Sequence, residues 1–244
     1  MSRSGPPIGG AVAPGFEPVR EAFERSFARR GELGAAVAAY HEGEVVIDLW
    51  GGYRDAGGTT PWTADTLVLV FSTTKGVAAA GIAHARSAGL FEYDDRVADH
   101  WPEFGTDGKG DVTVRQLLGH RAGVAAMDGA VTPGDVADRD SFVGRLASKE
   151  PDWEPGTRHG YHAFSLGWYE SELRRRVDPD GRRLPAYLEE EVLAPLDAEF
   201  YIGLPDGCDT GRVADIDPFG PLTWSGAGGR SPRGCCCRWR TRGR

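Results

Sequence analysis

Apolar residues recur along the first third of the chain in two rhythms. In "EPVREAFERSFARRG", Val19, Phe23 and Phe27 stand four apart, the stripe of one helix face, and Gly31 ends the run. "AAVAAY" (35–40) and "EVVIDLW" (44–50) are short apolar runs of strand type. His41-Glu42-Gly43 joins them in a short glycine-containing loop, so the pair reads as a β-hairpin. Residues 51–66, "GGYRDAGGTTPWTADT", read as loop. Residues 1–15 are rich in Pro and Gly and are expected to be disordered.

After residue 70 the helical rhythm takes over. The pattern predicts a helix from Lys75 to about Ser87, ended by Gly89. "TVRQLLGHRAG" carries a capping box, Thr113 with Gln116 three later, and ends near Gly119. "DSFVGRLASKE" is a further helix. "YHAFSLGWYESELRRRV" (161–177) reads as one long helix with Phe164, Trp168 and Leu173 among its apolar positions. "LPAYLEEEVLAPL" opens with Pro185 in a first turn and aligns Leu188, Val192 and Leu196. "AEFYIGLP" (198–205) reads as an extended return. There is no internal repeat. Helix, hairpin and then mostly helices give an α+β class. A hairpin alone is marginal, and nothing after Pro205 offers a clear strand or helix to complete its sheet.

Composition narrows the function classes. The 244 residues are 40% hydrophobic and 26% charged, with a net charge of −8, an ordinary globular balance. No basic stripe argues for nucleic acid, and no apolar run is long enough to span a membrane. The first residues lack the apolar core of a secretory signal, so the expected location is cytoplasmic. Cys235, Cys236 and Cys237 are adjacent and Cys208 stands alone, which is not a disulfide framework. The last residues, "GGRSPRGCCCRWRTRGR", contain arginine but no acid. They mask part of the acidity of the body.

The chemistry concentrates in "VLVFSTTKGVAAAGIAHA". Ser72 and Lys75 are three apart at the start of an apolar helix, which puts both on one face. A serine hydroxyl attacks an acyl carbon only when a neighbour takes its proton. A lysine can do so when partly neutral, and a helix start offers free N–H groups to a developing oxyanion. The plainer reading makes Ser72 an N-cap and Lys75 a side chain reaching back to water. In "WEPGTRHGYHAFSLGW", Tyr161 at a helix start could relay a proton, or be a core tyrosine with a satisfied hydroxyl. His159 and His162 lack the carboxylate–histidine company of a metal site. His120 is read as structural at a helix C-terminus, and Asp94 and Asp95 as a loop charge pair. No phosphate-binding glycine loop is present.

Taken together, "FSTTKGVAA", "GLFEYDDRVADHWPEF", "VTVRQLLGHRAGV" and "WEPGTRHGYHAFSLGW" resemble the β-lactamase-related serine hydrolases. The likeness is strongest to the carboxylesterase branch related to class C β-lactamases, and it covers roughly residues 16–215. It implies a β-lactamase/transpeptidase-like fold, an antiparallel sheet plus a helical domain. It implies Ser72 as acyl-enzyme nucleophile, Lys75 as its base partner and Tyr161 as second base or acid, with no cofactor and no metal. The expected partner is a small acyl substrate, with no nucleic acid or membrane; the oligomeric state is open. An inactive family member and a D-amino-acid peptidase or transpeptidase are the alternatives.

Two departures from the family pattern stand out. Penicillin-recognising members carry Asn two residues after the tyrosine, where this chain has Ala163; this favours esters over β-lactams. The family's third motif, on a strand near the C-terminus, is not found, and "SGAGGR" (225–230) is not followed by a strand. The C-terminal strands of the sheet are therefore expected to be missing. The arginine- and cysteine-rich tail reads like a shifted reading frame, with a basic tail for an acidic partner as the rival reading. The expected organisation is a disordered 1–15; 16–75 with the first helix, the hairpin and the nucleophile motif; a mainly helical 76–215; and an aberrant, disordered 216–244 that pairs no strand.

Overall fold

The computed structural model describes residues 5–216 and 236–238, which divide into two compact units. The first unit takes residues up to Phe71 and from Asp197 onward. The second runs from Ser72 to Leu196. The boundary falls just before the nucleophile motif, so that motif opens the helical unit rather than closing the sheet unit as expected.

In the first unit β1 (Ile8–Val12), β2 (Gly34–His41) and β3 (Glu44–Gly52) form an antiparallel sheet in the order β1-β3-β2. The hairpin is as predicted, with a tighter turn. His41 pairs with Glu44, so Glu42 and Gly43 alone make the turn, with φ of 52° and 84°. Two positive φ values match the twist of the flanking strands. Helix α1 (Glu17–Arg30) ends at Gly31 in the left-handed region, whose N–H donates to the Ser26 carbonyl. Its Phe23 joins Val46, Ile47 and Leu49 in a core to which Val19, Phe27, Ile8 and Val12 add partly buried contacts.

The first fifteen residues correct the expectation of disorder. Residues 8–12 pair with 47–51 along the free edge of β3. Gly10 has φ of 88°, and a Cβ there would overlap the Asp48 carbonyl. The glycines are a steric requirement of close strand pairing, not a sign of chain freedom. The hairpin thus finds a neighbour N-terminal to it.

A smaller sheet of the same unit has the order β4-β6-β5, from β4 (Val68–Leu69), β5 (Glu199–Tyr201) and β6 (Cys236–Arg238). The expectation that the tail pairs no strand is corrected here. Cys236 pairs with Leu69 and Tyr201. Main-chain hydrogen bonds make such a ladder, and three residues need no alternating apolar pattern to supply them. The segment 225–230 lies outside the described residues.

The second unit is helical. It comprises α2 (Thr74–Ser87), α3 (Val97–His100), α4 (Val114–Leu118), α5 (Pro133–Ala137), α6 (Arg139–Ala147), α7 (Leu166–Val177) and α8 (Leu184–Leu188). The Thr113–Gln116 capping box opens α4 with both reciprocal bonds present. Helix α7 starts at Leu166, five residues later than the pattern suggested, and Phe164 is 91% exposed. After α8 the helix widens over Glu189–Leu193. One extra residue in that turn rotates the apolar phase, so Leu193 is buried while Leu196 is exposed. The core holds Trp101, Phe104, Leu117, Leu146, Tyr169 and Leu173, each at most 1% exposed. Among the described residues no helix is long and apolar enough to cross a membrane.

Candidate active site

Ser72 lies in a tight helical turn over Phe71–Thr73 that runs directly into α2. Phe71, just before it, has φ of 46°, a strained value for a bulky side chain of the kind that clusters at functional sites. The spacing of three then acts as the sequence predicts. Lys75 Nζ donates to Ser72 Oγ at 3.3 Å. Ser72 is exposed and Lys75 half-buried.

Tyr161 reaches the same place by a different route. It precedes α7 in a non-helical segment held by hydrogen bonds to residues 120–125. Gly160 N–H donates to the His120 carbonyl at 3.0 Å. His162 N–H donates to His120 Nδ1 at 3.0 Å, and its own Nδ1 bonds the Gly160 carbonyl at 2.7 Å. Ser165 Oγ donates to the carbonyls of Val124 and Ala125, each at 3.2 Å. A Cβ on Gly160 would overlap the Trp153 ring, so only glycine lets the segment pass there. These bonds take up the polar groups that a helix would otherwise have used internally, and the helix start is displaced to Leu166.

The Tyr161 ring lies 5.1 Å from Lys75 Nζ. The Ser72 hydroxyl pulls the phenol below its ordinary value; desolvation opposes this, and Lys75 adds to the lowering. Lys75 makes its shortest contact, 2.7 Å, to the carbonyl oxygen of Ala163. The lysine is thus held by the backbone of the residue two after the tyrosine. The three predicted site residues are therefore together within one unit.

Sequence reasoning missed two neighbours. His120, set aside as structural, packs its ring 5.1 Å from that of Tyr161. Its backbone is left-handed at φ of 60°. Burial, reinforced by His162, His159 and Lys75, brings its pKa down to about 4, so it is neutral at pH 7. Because Nδ1 accepts from His162, the proton sits on Nε2. The phrase "LLGHRAG" offered only its place after a helix. Glu170 on α7 is the other. It is 3% exposed and lines, with Lys75, Gly76, Ala79, Arg115 and His120, a cavity of about 490 Å³. Asp94 and Asp95 are not a functional pair. Asp94 binds Arg115 at 2.9 Å and Asp95 binds His100 at 2.9 Å.

Comparison with known proteins bears on the family. The β-lactamase family model matches residues 19–224. The chain is 38% identical over 220 residues to the esterase/β-lactamase LipL of Mycobacterium tuberculosis, covering 88% of this chain and 50% of that protein. Its fold superimposes on a family VIII carboxylesterase with a TM-score of 0.83 at 44% identity, covering 87% of this chain and 58% of the other. A penicillin-binding protein homologue from Caulobacter crescentus follows at 0.82 and 43%, with coverages of 87% and 56%. The chain thus spans between half and three-fifths of the length of these relatives. The α+β class and the β-lactamase/transpeptidase-like fold expected from the sequence stand. With most of its length matched, the chain belongs to the β-lactamase family.

Proposed function

We propose that this site is that of a serine hydrolase acting on small esters through an acyl-enzyme. The observation that carries the reading is the contact of Ser72 Oγ with Lys75 Nζ at 3.3 Å, with the lysine held by the Ala163 carbonyl. In the first step Ser72 Oγ attacks the ester carbonyl while its proton passes to Lys75 in its neutral form. The free N–H groups of the first helical turn face the developing oxyanion. As the tetrahedral intermediate collapses, the alkoxide leaves and takes a proton by way of Tyr161, which Lys75 replenishes. Water then attacks the acyl-enzyme, and the same groups take and return its proton.

Two features favour an ester over a β-lactam or a peptide. Ala163 offers no side-chain amide to a substrate amide. The relatives in solved structures and among characterised proteins include a carboxylesterase and an esterase/β-lactamase. The enzyme is read as cytoplasmic, and as needing no cofactor.

A fluorophosphonate probe tests the reading directly. The 244-residue chain should take up one label, located on Ser72 by mass spectrometry. Ser72→Ala should abolish labelling, and Lys75→Ala should slow it by about 10²–10⁴. Label on another serine, or equal labelling of Lys75→Ala, would overturn the assignment.

A further inference from the structure

Glu170 is buried on α7 one turn before Arg174, whose guanidinium is committed to Asp178 at 3.1 Å. The carboxyl is 3% exposed, and its Oε2 has no hydrogen-bond partner among the described residues. A buried, unpaired carboxylate is costly, and a core position on α7 could be filled by any apolar residue. The cavity it lines explains what it faces. From α2 come Lys75, Gly76, Ala79 and Ile82; from the loop before α3, Tyr93; from α4, Arg115 and Leu118; then Gly119, His120 and Leu166. Helices α3, α6 and α8 also pack on α7 but add nothing to the lining.

Of the ionisable groups in that lining, three are already accounted for. Arg115 is committed to Asp94 and stacks on Tyr93. Tyr93 is covered by that guanidinium, and His120 is neutral at pH 7. Lys75 is the remaining cation, and it belongs to the site of the acyl transfer.

We propose that Glu170 is a positioning residue that acts through Lys75: across the cavity between α2 and α7, the charge of its carboxyl sets how readily the lysine gives up its proton, and so the pH range in which Ser72 reacts. The proposal rests on Lys75 as the base of the reaction. An ionised Glu170 favours the ammonium, and a protonated one favours the free amine that can accept the Ser72 proton. Burial pushes the Glu170 pKa up to about 7, with Lys75 pulling the other way. The carboxyl therefore changes charge where the enzyme would work. Coupling of this kind is reciprocal, so each group reports on the other.

Two measurements on the full chain test this, and they fail separately. The first follows the protonated-carboxyl stretch by infrared titration, with Glu170→Gln identifying the signal. One carboxyl should remain protonated above pH 6 and be absent in Glu170→Gln, and Lys75→Met should move its ionisation to higher pH. A carboxyl already ionised at pH 5, or a Lys75→Met titration superimposable on wild type, would overturn the proposal whether or not the chain reacts with a probe. The second follows fluorophosphonate labelling of Ser72 against pH. Glu170→Gln should shift the midpoint to lower pH by about half to one unit, so that the variant labels faster than wild type on the acid side. A purely structural role predicts slower labelling with the midpoint unmoved, and that result would also overturn the proposal. No labelling in any variant would refute the acyl-transfer reading and leave the infrared result to decide on Glu170.

Discussion

Two glutamates stand two residues apart on α7, both almost fully buried, in opposite situations. Two residues turn a helix by about 200°, so Glu170 and Glu172 lie on opposite sides. Glu172 is 4% exposed and binds Arg175 at 2.6 Å and Arg176 at 2.7 Å. Arg176 continues to Glu103 at 3.0 Å. Burial is the largest single influence on Glu172 and pushes its carboxyl up, but the two arginines together outweigh it and leave it below its ordinary value. Among the described residues no arginine pairs with Glu170, since Arg174 is committed to Asp178 and Arg115 to Asp94, and burial prevails. Burial alone does not determine the charge of a carboxyl; the partner on its own face of the helix does. One face of α7 pairs Glu172 with Arg175 and Arg176; the other carries Glu170, one turn before Arg174, whose guanidinium is committed to Asp178 at 3.1 Å.

The contrast breaks most readily on the paired side. Glu172→Leu should cost about 2–3 kcal/mol in urea unfolding at pH 7. Losing one partner of a fully buried pair costs about 3–5 kcal/mol, and the figure is reduced because both arginines are partly exposed. The pH dependence has a definite sign. A depressed carboxyl contributes stability above its unfolded pKa and loses it as pH falls through the folded one. The gap between wild type and variant should therefore be full at pH 7 and close at acid pH. A gap independent of pH would mean that packing, not the ion pair, holds Glu172 in place.

The unpaired side should respond the other way. With its folded pKa raised to about 7, Glu170 favours the fold while protonated, fully below the ordinary glutamate value, and loses that contribution as pH rises through 7. Glu170→Gln should be near neutral in stability at pH 5 and stabilising at pH 8, by at most about 3 kcal/mol. Destabilisation at pH 8 would show that the carboxylate has found a partner and that the two faces are alike.

None of this contrast can be read in the string "YESELRRRV". Glu170, Ser171, Glu172 and Arg174 look like a solvated face, yet all four are buried. Their fate depends on which neighbours α2 and α3 to α8 bring, and that information is not local. The same holds for Tyr161. The role expected of it rests on resemblance, and its setting is not legible at all, because Gly160 and His162 spend their hydrogen bonds on His120, forty or so residues away. Local signals were read well where local physics decides. Val19, Phe23 and Phe27 mark α1, Thr113 and Gln116 cap α4, and Ser72 with Lys75 needs only a helical turn to meet. Composition misled at Gly9-Gly10, where small residues serve close strand pairing and not disorder.

The finest division of the paired face is between its two arginines. Arg175 and Arg176 both reach Glu172, but their surroundings differ. The Arg175 side chain is 35% exposed, and Glu172 is the carboxylate it binds through Nε and Nη2. Arg176 is 24% exposed and bridges Glu172 to Glu103 through three nitrogens. Removing Arg175 leaves Glu172 still charged and still paired, with water able to reach the vacated side. Arg175→Gln should therefore cost less than about 1 kcal/mol, in the range of exposed ion pairs, and its cost should fall further in high salt. Arg176→Gln frees Glu103, leaves Glu172 to Arg175 alone, and should cost more. If Arg175→Gln were the costlier change, the hydrogen-bond geometry of a single bidentate pair would outweigh the shared bridge. The paired face of α7 would then rest on Arg175 alone.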